Sequence, residues 1–311
     1  MTRFEEKTPS YLYLTIGLCI LAVSIADRLT PVGLAIFVAY MVPLSLSFYT
    51  WRPKIPYYVA GVSAMLMFVD LYSDQDMTGI GTARRFIGSI TLLMVATIGY
   101  QFIRTRLAVR REIWLQEGQT GISERMVGDH RLEELGDRVL GFFGSYLDAK
   151  VGAMFIEDEG NFRRCATYAA ATGSVPERFS IGEGLLGQAV KDARPMIVSD
   201  VPDGYLKLGS GLGASNPRHL LVVPIKLEGT VNAVIELGFF QPVRDSDLEL
   251  FERVDESVAI AVRSVKYRSR LQELLEETQR QSEEVQAQSE ELRVSNEELE
   301  EQGRALRETQ S

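Results

Sequence analysis

The sequence predicts a multi-domain chain: a four-helix transmembrane bundle, then an α+β domain built on an antiparallel sheet with helices, then a C-terminal parallel coiled coil. Three observations carry this. Four apolar runs lie within the first 103 residues. Short apolar segments separated by Gly- and Asp-rich turns fill the middle of the chain. From Leu271 one position recurs every seven residues: Leu271, Thr278, Val285, Leu292, Leu299 and Leu306. The bounds read as a cytoplasmic N-terminus over 1–10, membrane helices over 11–103, a connector over 104–121, the α+β domain over 122–266 and the coil over 267–311.

Composition agrees with unlike parts joined in one chain. Mean hydropathy is near zero although 24% of the 311 residues are charged. The net charge of −9 gathers in the tail and argues against a nucleic-acid surface. With only two cysteines, Cys19 and Cys165, and two histidines, His130 and His219, there is no disulfide framework or Cys-rich metal site.

The apolar runs are Tyr11–Ala26, Pro31–Thr50, Ile55–Leu71 and Phe86–Ile103, each near the ~20 residues that cross a bilayer. Met1–Ser10 is polar and lacks the pattern of a cleaved signal peptide. Arg3 and Lys7, Arg52 and Lys54, and Arg104, Arg106, Arg110 and Arg111 fall on one side of the runs. Arg28, Arg84 and Arg85, with Asp27, Asp74 and Asp76, fall on the other. The positive-inside rule then puts both termini in the cytoplasm of a multi-pass bacterial inner-membrane protein. Tyr and Trp residues near the run ends suit an aromatic belt. Asp70 is either a functional acid within the membrane or a hydrated residue at its outer edge. Pro31 and Pro43 mark a start and a kink in the second run. The external loops are too short for a ligand-binding domain, and no paired acids or broken twin helices suggest transport.

Gln101–Gln116 continues the fourth run as a charged helix, which Gly118 and Gly121 are expected to interrupt. Ile122–Leu147 restarts helical periodicity. Val151–Ile156 and Asn161–Ala169 form a hairpin about Glu157–Gly160. Ile181-Gly-Glu-Gly-Leu-Leu-Gly-Gln-Ala-Val190 then reads as a turn into a short helix, and Pro195–Asp200 as a short strand. A Gly/Ser-rich cover follows. Leu220–Lys226 and Val231–Phe240 form a second hairpin, with Gly229 free to take positive φ in the turn. Leu220–Ile225 is almost wholly apolar and should be covered on both faces. Asp245 caps a last helix in which Leu248, Leu250, Phe251, Val254, Val258, Ala259 and Val262 recur at helical spacing.

These motifs, in this order, resemble the GAF domain over residues 122–266. Val201-Pro-Asp-Gly-Tyr205, Gly209-Ser-Gly-Leu-Gly213 and Pro217-Arg-His219 look like the GAF domains at the input end of bacterial hybrid sensor histidine kinases. The resemblance implies a sheet with helices on one face and a ligand-type cleft on the other. It also implies first and last helices that pack across a dimer axis.

For a small ligand, the candidate side chains are Asp200, Tyr205, Ser210, His219 and Glu236, polar residues near the expected cleft. A relay domain with an empty cleft is the competing reading. His219 could bind haem iron or a metal, or serve as a hydrogen-bonded strand residue. Cys165 lacks the Cys-His pair of bilin-bearing GAF domains, the Asn-Lys-Phe-Asp-Glu signature of cyclic-nucleotide sites is missing, and two cysteines cannot supply the three of methionine-sulfoxide-reducing GAF enzymes. No cofactor is therefore expected. The glycine segments 182–187 and 209–213 match neither phosphate-binding fingerprint.

In the tail, taking Leu271, Thr278, Val285, Leu292, Leu299 and Leu306 as d positions makes Leu275, Ser282, Ser289, Asn296 and Gly303 the a positions. The half-polar seam predicts a marginal parallel dimer whose packing a small input can shift. No His-Glu/Asp-x-x-x-Pro phosphoacceptor, kinase glycine box or cyclase motif occurs, so no enzymatic activity is expected. The chain reads as a sensory input and transmission module, a homodimer in the lipid bilayer, upstream of a histidine kinase or other output domain in cis or in trans. The alternatives are a GAF cleft with a cofactor or redox role, and a transporter or channel with a regulatory GAF domain.

Overall fold

The computed structural model describes residues 8–29, 38–73, 79–171, 173–201, 208–210 and 213–309. The chain divides into two compact units, residues 1–118 with 244–246, and residues 119–243 with 247–311.

In the first unit, helix α1 spans Ser10–Leu29, α2 Met41–Leu46, α3 Ile55–Ser73 and α4 Gly79–Met126. Ile16, Tyr40, Leu44, Val59, Ala60, Met67, Leu92 and Ala96 pack as its core. The outward faces are apolar too: Leu14, Leu18 and Leu21 on α1, Met65 on α3, and Ile90, Leu93, Met94 and Ile98 on α4 are exposed. Among the described residues, two helices are long and apolar enough to cross a membrane, Ser10–Asp27 and the apolar part of Arg85–Met126; Ile55–Val69 is a shorter apolar helix.

The expected second span is not one helix where it is described. After Tyr40 come the six residues of α2, a 3-10 turn at Ser47–Tyr49 and extended backbone at Thr50. Ser45, Ser47 and Thr50 each donate a hydroxyl to the carbonyl three residues back, at 2.8, 2.5 and 2.7 Å, and these bonds accompany the tightened turn. Trp51 follows and is buried, its ring 4.2 Å from the guanidinium carbons of both Arg106 and Arg110. Asp70 has a described backbone in α3, while its side chain lies outside the described residues.

The expected break at Gly118 and Gly121 is also corrected, because α4 runs unbroken to Met126. Gly121 is a close-approach residue: a Cβ there would meet the Phe142 ring at 2.8 Å. The helix instead ends at the Val127–Arg131 link, where Gly128 takes φ of +130° and His130 Nε2 lies 2.9 Å from the Val127 carbonyl. His130 is therefore part of a turn, not of the next helix.

In the second unit, α5 (Leu132–Leu147) leads into β1 (Val151–Asp158) and β2 (Asn161–Tyr168). Then come β3 (Arg178–Ser180), α6 (Gly184–Asp192), β4 (Met196–Ser199), β5 (Leu208–Ser210), β6 (Gly213–Ser215), β7 (His219–Leu227), β8 (Thr230–Phe239) and α7 (Asp245–Thr309). Six strands form one sheet in the order β3-β2-β1-β8-β7-β4, and β5 pairs with β6 alone. Every pairing is antiparallel. Leu220–Ile225 is buried along its whole length, as an apolar strand covered on both faces requires.

Helices α5 and α7 cover one face and meet at Phe143 and Phe251, ring centroids 4.5 Å apart. Glycine lets α5 lie close on the sheet: a Cβ on Gly144 would enter the ring of Tyr168 on β2. Helix α6 covers the other face, where Leu186, Ala189 and Val190 join Val151, Ala153, Phe155, Leu220, Val222 and Val234. Phe179 of β3 stacks on Phe162 and meets Phe155 edge-on, both at 5.1 Å.

Candidate functional site

The site begins with the turn into α6. Gly182 N–H donates to the Gly187 carbonyl at 2.9 Å, and Gly187 N–H to the Glu183 carbonyl at 2.9 Å. Glu183 N–H donates to the Ser180 carbonyl at 3.0 Å, and the Glu183 carboxylate takes back the Ser180 N–H at 2.9 Å. The glycine motif is thus a turn closed on itself through the Gly182, Glu183 and Gly187 amides. Gly187 is fixed by close approach, since a Cβ there would meet Gly182 N at 2.8 Å and run into the Ser180 carbonyl.

Under α6 lies the carboxyl of Glu236. Glu236 faces Val222 on β7 and Ala153 on β1. Directly opposed residues share a face of the sheet, so Glu236 points into the apolar floor beneath α6. It is 3% exposed, and Oε1 has no hydrogen-bond partner among the described residues. Burial pushes its pKa up to about 7. A carboxyl held unpaired in an apolar setting costs about 1–3 kcal/mol, which makes it the polar group of this face with most to gain from a donor.

The other sequence candidates are spread out. His219 lies three residues before Val222, an odd step, so it faces the α5/α7 side, away from Glu236. Its Nδ1 is buried with no partner among the described residues. Asp200 is exposed at the end of β4, in left-handed conformation with φ of 55°. The backbone of Ser210 pairs with Gly213 across the small β5–β6 hairpin. Tyr205 lies outside the described residues, as do the side chains of Ser210, Leu299 and Leu306.

Cys165 is buried on the α5 side. The register of β1 and β2 shifts between Met154 and Phe155, and this bulge turns both Cys165 and Ala166 toward Gly136 of α5. Burial, then the charge of Glu133, pushes the thiol up to about 12. Among the described residues no cluster of three His, Cys, Asp or Glu could hold a metal ion.

Sequence reasoning missed the groups that tie this face to α7. Lys226 Nζ reaches the carbonyl of Ala193, just past the end of α6, at 3.3 Å, and Lys226 N–H donates to Asp255 of α7 at 2.6 Å. This occurs at a second bulge, between Ile225 and Lys226. Farther along α7, Lys266 Nζ binds Glu157 at both its carbonyl and its carboxylate at 2.6 Å, holding that carboxylate below its usual range. Arg268 pairs with Asp129 of the α4–α5 link. The only sequence signal was a polar residue, Lys226, closing an apolar run.

A hollow of about 440 Å³ opens between the β1–β2 turn, the start of α5 and the exit of α7. Glu157, Asp158, Arg163, Lys266 and Arg270 line it. Lys266–Glu157 and Arg163–Asp158 are ion-paired at 2.6 and 3.8 Å, so its charge is largely neutralised from within.

An α5–sheet–α7 core with a third helix over the opposite face defines the class. Residues 129–263 match the GAF domain family and form a GAF domain. GAF domains are regulatory and sensory modules that bind small molecules. Similar solved structures include the GAF domain of a phosphoenolpyruvate-protein phosphotransferase from Coxiella burnetii, 18% identical, TM-score 0.43, covering 50% of this chain and 97% of that one. The A. aeolicus nlh2 GAF domain in an inactive state is 20% identical, TM-score 0.37, covering 51% and 99%. The free methionine-R-sulfoxide reductase of Neisseria meningitidis in complex with its substrate is 12% identical, TM-score 0.42, covering 51% and 93%. No curated protein matches the chain.

Proposed function

We propose that the chain is a membrane-anchored sensory module whose GAF domain receives a small molecule on its α6 face and passes the event to α7. The observation that carries this is Glu236, a buried carboxyl set in the floor of that face, whose Oε1 has no hydrogen-bond partner among the described residues. A ligand donor placed there satisfies the carboxyl and changes how α6 sits. The contacts from Ala193 to Lys226 and from Lys226 to Asp255 give that change a route into α7.

The apolar outward faces of α1, α3 and α4 support anchoring in a bacterial inner membrane, with both termini cytoplasmic. In this reading the chain acts as a homodimer, and α7 delivers the signal to a histidine kinase or other output domain in cis or in trans. The role is one of transmission: the Cys165 thiol is sealed behind α5, and His219 faces away from Glu236, so neither is placed for chemistry under α6.

Native mass spectrometry of the detergent-purified protein, under conditions that retain small ligands, tests this. A dimer carrying a defined extra mass that Glu236→Gln loses is the expected result. A bare dimer in both proteins moves sensing to the membrane helices and leaves the GAF domain as a relay. A monomer removes the dimeric mechanism.

A further inference from the structure

The surface of α7 carries two half-polar heptad stripes that overlap without coinciding. They share the line Leu271, Thr278, Val285, Leu292, in which Leu271, Val285 and Leu292 are 60, 63 and 66% exposed. One flank of that line is Leu275, Ser282, Ser289, Asn296. The other is Leu274, Gln281, Gln288, Ser295. A parallel two-stranded coil alternates steps of three and four residues. The shared line can therefore act as d with the first flank as a, or as a with the second flank as d. The flanks are closely matched: each opens on an exposed leucine and continues in three neutral polar residues.

Upstream the flanks differ. The second continues by steps of seven to Tyr267 and Ile260, both exposed, with Ile260 on the part of α7 that belongs to the GAF domain. The first continues to Arg268, which pairs with Asp129. In the first register two copies of Arg268 would face each other across the seam, and the Asp129 carboxylate is the counter-charge that lowers that cost.

The charge pattern points to a second copy of this chain as the partner. Glu276 and Glu277, Glu283 and Glu284, Glu290 and Glu291, and Glu297 and Glu298 repeat every seven residues, and in the first register they lie away from the seam. The positions bordering the seam there are Gln272, Leu274, Gln279, Gln281, Gln286, Gln288, Arg293 and Ser295. In the second register Glu277, Glu284 and Glu291 of one helix border Ser282, Ser289 and Asn296 of the other. Neither register sets acid against acid, so a helix this acidic can pair with its own copy.

We propose that α7 pairs in parallel with α7 of a second copy and that the pair is bistable, moving between these registers by rotation of each helix through one-seventh of a turn, about 50°. The proposal rests on the dimer reading above and adds the two states that the signal selects between. Binding under α6, read through Asp255, and the Arg268–Asp129 pair both act on the GAF end of the helix whose rotation is in question.

Cysteine crosslinking in the full-length protein, in membranes, tests it. Cys19→Ser and Cys165→Ala give the background, and Thr278→Cys, Gln281→Cys and Ser282→Cys are introduced singly at polar positions of α7. Thr278→Cys reports pairing in either register, Ser282→Cys the first and Gln281→Cys the second. All three are expected to crosslink on mild oxidation. Asn296→Leu, which adds an apolar a residue to the first register, should raise the Ser282 to Gln281 ratio several-fold. Asp129→Asn, which removes the counter-charge of Arg268, should lower it. No crosslink at 278 means that the chains do not pair through α7, and the dimer reading falls with the proposal. A crosslink at 278 and on one flank only leaves the dimer standing with a single register, which overturns bistability. Crosslinks on both flanks in a ratio that neither substitution moves indicate loose contact and also overturn it.

Discussion

Glu236 shows what a single residue reveals at each level of description. In the sequence it lies in an apolar run, Ala233-Val-Ile-Glu-Leu237, and is a candidate as a polar residue near the expected cleft. The pairing with Val222 and Ala153 supplies the face it points to. Its folded-state pKa of about 7 stands above the ordinary 4.5, so folding takes up a proton between these values. The sign follows: the contribution of Glu236 to stability is greatest below pH 4.5, falls as pH rises, and levels off above pH 7. The span is worth roughly 3 kcal/mol. Urea unfolding of the purified protein at pH 5.5 and pH 8 should show the loss, and Glu236→Gln should flatten it. Equal slopes in the two proteins would show that this carboxyl is not the titrating group. Cys165 gives a second test at this scale. A thiol pushed up to about 12 is almost wholly protonated at pH 8, so it should resist iodoacetamide in the folded protein and react fully in urea. Fast labelling of the native state would contradict its burial behind α5. His219 was beyond sequence reasoning because its face depends on strand register: one residue of slip would turn it toward Glu236.

At the scale of elements, the sequence was most legible where local chemistry and tertiary packing agree. The turn at Gly182–Gly187, the strands β1, β2, β4, β7 and β8 and helix α6 follow from glycine placement and apolar runs. Misreadings came where one overruled the other. Gly118 and Gly121 read as a break, yet α4 passes through both, and close approach to Phe142 gives Gly121 a packing reason. The second apolar run read as one span because hydropathy does not register backbone geometry, and the 3-10 turn at Ser47–Tyr49 and the extended Thr50 interrupt it. The α6 turn yields a prediction. In Gly187→Ala the new methyl meets backbone, which cannot rotate away, so the substitution should cost about 1–3 kcal/mol. Gly160→Ala, where nothing lies within 4 Å of the added carbon, meets no such clash and carries only the strain of φ +84°. Thermal unfolding of both variants checks this: a Gly187→Ala protein that melts with the wild type would mean that the turn is not closed as described.

At the scale of the whole molecule, the open quantity is how many times the chain crosses the bilayer. The four apolar runs of the sequence, oriented by the charges between them, lead to an expectation of four crossings and two cytoplasmic termini, whereas two described helices, α1 and α4, meet the requirement of length and hydropathy, with α3 a shorter third. These counts make different predictions for the segments between helices. Four crossings put Arg52 and Lys54 on the cytoplasmic side, with the C-terminus, and residues 74–78 outside. Crossing by α1 and α4 alone keeps both termini inside but puts Arg52 and residues 74–78 together on the outer side. Three crossings, by α1, α3 and α4, place the two termini on opposite sides. The Trp51 ring between Arg106 and Arg110 favours the first arrangement, because it ties the Arg52–Lys54 segment to the basic stretch that follows the apolar part of α4. Positive-inside bias then applies to both segments together. Single cysteines at Arg52, Asp76 and Ser311, in a background lacking Cys19 and Cys165, can be labelled in intact cells with a membrane-impermeant maleimide. Labelling is expected at 76 and not at 52 or 311. Labelling at 52 and 76 together would support two crossings, and labelling at 311 would overturn the cytoplasmic placement of α7 and with it the route from the GAF domain to an internal output.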